Sequence, residues 1–296
     1  MSDTTMSLRR KIKGAQDLQA VVRTMKAIAA ASIGQYEKSV DALTEYVHAV
    51  ELALSVCLRD IRLKDEMVGR EKQKGDIGVV VFGSDQGLVG QFNDLVADHA
   101  VNLLASKSER VQIWAIGERV HARIKDAGLP INGLFSVPNS VKAIVPLIGQ
   151  ILIESEMFDD PTELSELYLI YNSHTSGAVY TPVSQRLLPL DERWRIELSK
   201  LPWPTKKLPE VMGSETMAIR ALIREYLFVS LFRACAESLA SENASRLIAM
   251  QRADKNIDEL LEYLNTVFHR VRQNGIDEEL FDVISGFEAL SGSRIL

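Results

Sequence analysis

Apolar side chains recur every three or four residues along the first 61 positions of the chain. Between Ala15 and Val68 the only glycine is Gly34, and no proline precedes Pro130. A mean step of about 3.5 residues is the coiled-coil repeat, so the pattern predicts one long helix with a continuous apolar seam. The predicted seam positions are Leu8, Ile12, Ala15, Leu18, Val22, Met25, Ala29, Ile33, Tyr36, Val40, Leu43, Val47, Val50, Leu54, Cys57 and Ile61.

The C-terminal part of the chain shows the same stepping. Residues 214–274 contain neither glycine nor proline. An unbroken helix of that length would reach roughly 90 Å, whereas a compact globule of this size is about 50 Å across. The predicted seam positions here are Leu227, Leu231, Ala234, Ser238, Ser241, Ser245, Ala249, Ala253, Ile257, Leu260, Leu264, Val267 and Val271.

Small side chains dominate the middle of this second seam, at residues 234–249. They allow a close approach of another backbone, and the other terminal helix is the expected neighbour. Since the two long helices lie at opposite ends of the chain, the pattern predicts an antiparallel pair. The alternative is two ordinary bundle helices, each broken by a kink.

The segment between the helices has a different pattern. Short β-branched runs at residues 76–82, 111–116 and 167–171 predict buried strands, and residues 179–190, with two prolines, predict an edge strand. Helical patterns at 91–105, 118–127 and 139–153 alternate with the strands, which is typical of a mainly parallel α/β sheet. Residues 191–213 are predicted to be an ordered loop. The predicted division is therefore 1–68 and 214–296 for the helices and 69–213 for a Rossmann-like α/β domain.

The segment after the first strand contains three glycines, Gly83, Gly87 and Gly90, and invites comparison with a phosphate-binding loop. Its spacing fits neither GxGxxG nor GxxxxGK[ST], so a nucleotide site is not favoured. Ser84 and Asp85 lack the surroundings of a nucleophile elbow, and capping of the following helix is the preferred interpretation. The five histidines show no metal-ligand spacing, and Cys57 and Cys235 are interpreted as core residues.

Composition narrows the classes of partner. The net charge of −6 gives no general attraction to nucleic acid, and no run approaches the roughly 18 apolar residues of a spanning helix. Residues 1–14 lack the apolar core of a secretory signal, so we expect a soluble chain on the cytoplasmic side.

Several motifs carry a resemblance to a known family. The N-terminal residues 8–13 and 22–31, the segment 84–88 (Ser-Asp-Gln-Gly-Leu), and the C-terminal residues 237–242, 244–250, 272–273 and 284–286 are similar to those of gamma subunits of F-type ATP synthases, in order and spacing. The chain departs from the family at Gln86, where arginine is usual, and at Val89 and Gln91. It therefore resembles a divergent branch.

This resemblance implies a function without catalysis. Gamma subunits are central rotor shafts, whose terminal helices thread the ring of alternating alpha and beta subunits and whose α/β domain sits on the membrane ion-carrying ring beside epsilon. For this chain it implies no catalytic site, no cofactor, no bound metal and no homo-oligomer. The implied location is peripheral, on the cytoplasmic face of the cell inner membrane.

The resemblance also implies partner-contact residues. Arg9, Lys13 and Arg23 fall within about 80° of one another on a helix and form a basic stripe. The basic region around Arg23, Met25 and Lys26 is expected to meet an acidic loop of a catalytic subunit, while Arg270, Arg272 and Gln273 would form hydrogen bonds to loops of the ring. The alternative is a solvated helix face for the stripe, and exposed helix-end residues without a partner for the three C-terminal positions. The full predicted contact set is Arg9, Lys13, Arg23, Met25, Lys26, Glu242, Arg270, Arg272 and Gln273.

Two other functions remain open from the sequence. Residues 76–190 could bind a nucleotide in an enzyme that dimerises through its helices. Alternatively, the chain could be a scaffold protein that self-associates through its coiled coil.

Overall fold

The computed structural model of the chain describes residues 4–60, 76–107, 109–154, 164–175, 179–188, 192–207, 210 and 214–292. Helix α1 spans Thr5–Asp60, and helix α6 spans Glu215–Gly292, a length of 78 residues. Both long terminal helices predicted from the seams are thereby confirmed. The predicted seam position Ile61 lies outside the described residues.

The central segment forms one five-stranded sheet with four shorter helices. Its strands are β1 (Asp76–Phe82), β2 (Val111–Ile116), β3 (Gly133–Phe135), β4 (Leu164–Thr175) and β5 (Val179–Leu188). Its helices are α2 (Phe92–Ala105), α3 (Glu118–Asp126), α4 (Val141–Glu154) and α5 (Glu192–Ser199).

The strand order is β3-β2-β1-β4-β5, with parallel pairing throughout except between β4 and β5. The predicted, mainly parallel α/β sheet is therefore confirmed, and β5 is an edge strand as expected. Strand β3 was not predicted. Residues 191–213 were predicted to be a loop, which is wrong for α5, where Leu198 is buried in a cluster with Val50 and Leu54.

The chain divides into two compact units. One contains Met1–Ile28 with Leu247–Leu296, and the other contains Ala29–Arg246. We call them the helical unit and the sheet unit. The three-segment division expected from the sequence stays a prediction.

The core of the sheet unit lies on both faces of the sheet. Val80 and Phe82 of β1 point into a cluster that includes residues of α1, α4 and α6. Val79 and Val81 point to the other face, where α2 and α3 pack. Because successive strand residues alternate between faces, a β1 that is apolar and buried from Ile77 to Phe82 is what a sheet covered on both sides requires.

In the helical unit α1 and α6 run antiparallel. Ala15 and Val22 of α1 pack with Met250 and Ile257 of α6, and the positions in contact rise along α1 as they fall along α6. Two predicted seam positions are wrong: Leu18 and Leu260 are 54% and 47% exposed.

Candidate functional site

Asp254 of α6 is hydrogen-bonded to three side chains of α1 within the helical unit. Its carboxylate accepts hydrogen bonds from Gln19 Nε2 at 3.2 Å, from Arg23 Nε at 3.1 Å and from Lys26 Nζ at 3.1 Å. Gln19 Nε2 also donates to Asp258. The buried position between Ala15 and Val22 is thus occupied by Gln19 rather than by Leu18, and its amide is satisfied by carboxylates of the facing helix.

The electrostatics of this cluster favour the charged form of Asp254. The hydrogen bond from Lys26 is the main reason that the pKa of Asp254 is lowered, and Arg23 adds to it. Two predicted contact residues, Arg23 and Lys26, are therefore already engaged inside the chain. Arg23 nonetheless keeps 56% of its side chain exposed, so its guanidinium still faces solvent.

A groove lies farther along the same helix pair, toward the N-terminus of α1. It has a volume of about 500 Å³ and is lined by Arg9, Lys13, Asn265, Phe268 and His269, among others. The Arg9 guanidinium stacks over the Phe268 ring at 5.5 Å, a cation–π distance that holds the charge in place. No carboxylate in the described part of the chain lies within ion-pair distance of Arg9 or Lys13.

The remaining predicted contacts on the helices differ in exposure. Met25 is partly buried against the apolar cluster of the helical unit, so it is mainly a packing residue. Arg270, Arg272 and Gln273 are all exposed on α6. Their roles as partner contacts stay predictions.

Glu242 lies in the interior of the sheet unit. Its side chain is 7% exposed, and Arg246 Nη2 donates to its Oε1 at 2.6 Å. Burial raises the pKa of Glu242, and the Arg246 guanidinium opposes that shift. This placement favours an internal role over the predicted contact with a partner, because the carboxylate is turned away from solvent.

The small residues of α6 pack against the segment that follows β1, as well as near α1. Ser245 Oγ donates to the carbonyl oxygen of Val89 and lies 3.3 Å from Tyr180 Oη. A Cβ added at Gly90, whose φ is +58°, would lie 3.7 Å from Ser245 Oγ. The tract at residues 234–249 was expected to face the other long helix. In the sheet unit it also contacts the loop after β1, at Val89 and Gly90.

Residues 83–85, in the loop after β1, form hydrogen bonds to other parts of the fold. Asp85 accepts from the backbone N–H of Glu118 at 3.1 Å and of Val137 at 2.9 Å, so it caps α3 rather than the following helix α2. The Ser84 backbone N–H donates to Asn93 Oδ1 at 2.9 Å, and the Gly83 N–H donates to the Ile116 carbonyl. Two amides at the start of this loop are thereby engaged within the fold.

The described residues contain no group of three or more His, Cys, Asp or Glu side chains placed to hold a metal ion. Among those same residues, no helix has the length and apolarity needed to cross a membrane.

Sequence reasoning missed the internal carboxylates that pair with the basic residues, Asp254 with Arg23 and Lys26, and Asp258 with Arg23. It also missed the buried Gln19, which donates to both carboxylates. The available signal was the spacing of Asp254 and Asp258, which places two carboxylates on one face of α6. What was missing was the register that sets them opposite residues 19–26.

The architecture is that of a class of protein in which an α/β domain is inserted between two long, mutually paired helices. The family described as ATP synthase matches residues 4–290, and the chain belongs to that family. The resemblance to gamma subunits inferred from the motifs is confirmed, and neither alternative function is favoured.

Relatives and solved structures agree with this family. An ATP synthase gamma chain from Nitrosomonas eutropha is 24% identical, with 97% of this chain and 99% of the relative covered. A chain of the Euglena gracilis mitochondrial ATP synthase in the structure of OSCP, F1 and c-ring (rotational state 3) aligns with a TM-score of 0.63 at 16% identity, over 99% of this chain and 96% of that one. A chain of the Euglena rotor structure (rotational state 1) gives 0.59 at 16% identity, over 92% and 98%.

Proposed function

We propose that this chain is the central rotor subunit of a rotary ATP synthase and performs no chemistry itself. The single observation that carries the proposal is the match of the ATP synthase family over residues 4–290, on a chain whose α1 and α6 pair antiparallel in the helical unit. Its relatives are gamma chains, and its fold is that of chains in ATP synthase assemblies.

The mechanism is linkage between rotor orientation and nucleotide affinity. An asymmetric shaft contacts each of three catalytic subunits differently and biases each toward a different conformation. By reciprocity, nucleotide binding and release bias the orientation of the shaft. The chain needs only a helix pair that keeps its register, and the apolar cluster and the Asp254 hydrogen bonds of the helical unit supply this.

The proposed partners are the alpha and beta subunits of the catalytic ring, the epsilon subunit and the membrane ion-carrying ring. The chain would be peripheral, on the cytoplasmic face of the inner membrane. Among the described residues no carboxylate lies within ion-pair distance of Arg9 or Lys13, so we propose that these two cations contact the acidic loop of a catalytic subunit. Arg23 and Lys26 form ion pairs with Asp254 inside the chain, and we propose that this is their main role.

Purification of the assembly under native conditions tests this function. The proposal predicts one copy of the chain for every three catalytic subunits. Recovery of the chain as a stable homodimer, or free of any ATPase subunit, would contradict it. Tight stoichiometric nucleotide binding by the isolated chain would instead favour the enzyme alternative.

A further inference from the structure

A groove of about 620 Å³ opens in the sheet unit between α1, the β4–β5 end of the sheet and α6. All of its lining residues belong to the sheet unit. None of them is among the partner contacts predicted above. The predicted partner contacts therefore assign no function to this groove.

The lining of the groove is apolar in one part and acidic in another. Val40, Val183 and Ala240 contribute the apolar part. Glu37 and Asp41 of α1 contribute carboxylates, and in the described part of the chain neither carboxylate has a cation within ion-pair distance. An apolar wall next to unpaired carboxylates matches the amphipathic side chain of lysine or arginine, whose stem is aliphatic and whose end is charged.

The one cation among the described lining residues is already engaged. Arg233 Nε donates to Glu237 Oε1 at 2.8 Å, and Ser173 Oγ donates to Glu237 Oε2 at 3.0 Å. Arg233 thus balances Glu237 and leaves the charges of Glu37 and Asp41 uncompensated. The groove carries a net negative charge that a cationic partner would offset.

The acidic face continues along α1. A second cavity of about 290 Å³ shares Arg233 and includes Glu45 and Glu51 of α1 in its lining. Glu37, Asp41 and Glu45 follow each other at four-residue spacing, where like charges on a helix repel. A cationic partner in the groove would relieve this repulsion.

The groove also borders β5, the last strand of the sheet that the described residues form. Residues Val183, Ser184 and Gln185 line it and belong to β5, the last strand in the order of the described sheet. Strand β4 pairs with one side of β5, and no described strand pairs with the other side. Unpaired edge groups of a strand are the usual acceptors and donors for an added peptide segment.

We propose that this groove binds an extended segment of a protein partner that presents a lysine or arginine side chain. The aliphatic stem lies on Val40 and Val183, and the charged end lies between Glu37 and Asp41. The backbone of the segment runs beside β5. This assignment does not depend on the proposed rotor function.

A photo-cross-linking residue in the groove tests the assignment. Ser184→benzoylphenylalanine is introduced into the full chain, the chain is isolated with its native partners, and cross-linked peptides are identified by mass spectrometry. The expected product is a partner segment that contains Lys or Arg. Glu37→Gln with Asp41→Asn lowers the cross-linking yield about tenfold, the size expected for loss of two charge contacts.

The matched control removes the same charge from the other face of the sheet. Glu118→Gln with Asp126→Asn, two exposed positions of α3, leaves the yield unchanged. If the Glu37 and Asp41 variant does not fold, the test uses the Ser184 variant alone at increasing salt concentration. Salt screens the attraction between the carboxylates and the cationic side chain, so the proposal requires the cross-linking yield to fall. A cross-link to a second copy of this chain, or to a segment without Lys or Arg, overturns the proposal. A cross-link whose yield changes with neither the charge substitutions nor the ionic strength also overturns it, as does the absence of any cross-link.

Discussion

Lys26 Nζ lies 3.1 Å from Asp254 Oδ2, although the two residues are 228 positions apart in the chain. The contact joins the two long helices at one register and belongs to the same cluster as Gln19 and Arg23. A sliding of α6 by one turn would change the distances from Asp254 to these three donors, which lie on successive turns of α1. The cluster therefore sets the register of the pair, in addition to the apolar contacts.

We expect Asp254→Asn to lower the thermal midpoint of the chain at neutral pH. The folded chain lowers the pKa of Asp254, so its stabilisation is present above the unfolded value of about 3.9 and is lost as the pH falls through the folded value. The difference in midpoint between the variant and the parent chain should therefore shrink as the pH is lowered below about 3.9. Circular-dichroism melts at about pH 7 and about pH 3 measure it, with the exposed Glu262→Gln as control. An equal difference at both pH values would contradict the assigned charge interaction.

Two apolar residues three positions apart on α6 should differ sharply in their contribution to stability. Ile257 is 7% exposed within the apolar cluster of the helical unit, whereas Leu260 is 47% exposed. Ile257→Ala should lower the free energy of unfolding by about 2–4 kcal/mol, and Leu260→Ala by no more than about 0.5 kcal/mol. Urea denaturation measures both values, and similar losses in the two variants would show that this register of the helix pair is wrong.

The Cys235 thiol should be unreactive in the native chain. It is 1% exposed, and burial raises its pKa far above the usual range, so the thiolate that reacts with alkylating reagents is absent at neutral pH. Iodoacetamide labelling followed by peptide mass spectrometry should modify Cys235 only after denaturation. Labelling of the native chain at the rate of a free thiol would contradict its described burial.

Arg272→Ala with Gln273→Ala should weaken coupling and leave the chain folded, because both side chains are exposed on α6. The expected result is less ATP-driven ion pumping per ATP hydrolysed in reconstituted vesicles, with an unchanged circular-dichroism spectrum. Glu278→Gln with Glu279→Gln, at nearby exposed positions of α6, is the matched control. Unchanged pumping per ATP in the Arg272 and Gln273 variant would count against the assignment of these residues.

The sequence was most informative where a pattern extended over many residues. The seams predicted both long helices because dozens of positions repeat one period. The run at residues 76–82 predicted β1 correctly because a strand buried on both faces is apolar at consecutive positions, as residues 77–82 are. Short elements were harder: β3 has three residues, and α5 is held by the packing of Leu198 against Val50 and Leu54, which lie far away in the chain.

The details of the candidate site depended on distant partners. Stepping by threes and fours can select Leu18 as readily as Gln19, and only the carboxylates of Asp254 and Asp258 make a buried Gln19 favourable. Asp85 was expected to cap the next helix in sequence, but it accepts hydrogen bonds from backbone N–H groups 33 and 52 positions away. Hydrogen bonds of this kind follow from the tertiary fold and leave no local sequence signal.

Rotation of the chain itself tests the central claim most directly. A bead is attached through a cysteine introduced at the exposed Lys125 of α3, and the catalytic ring of the assembled complex is fixed to a surface. The account predicts that ATP turns the bead in one direction, with three pauses per turn, one for each catalytic subunit. A bead that stays still or only fluctuates while the same complexes hydrolyse ATP would contradict the account.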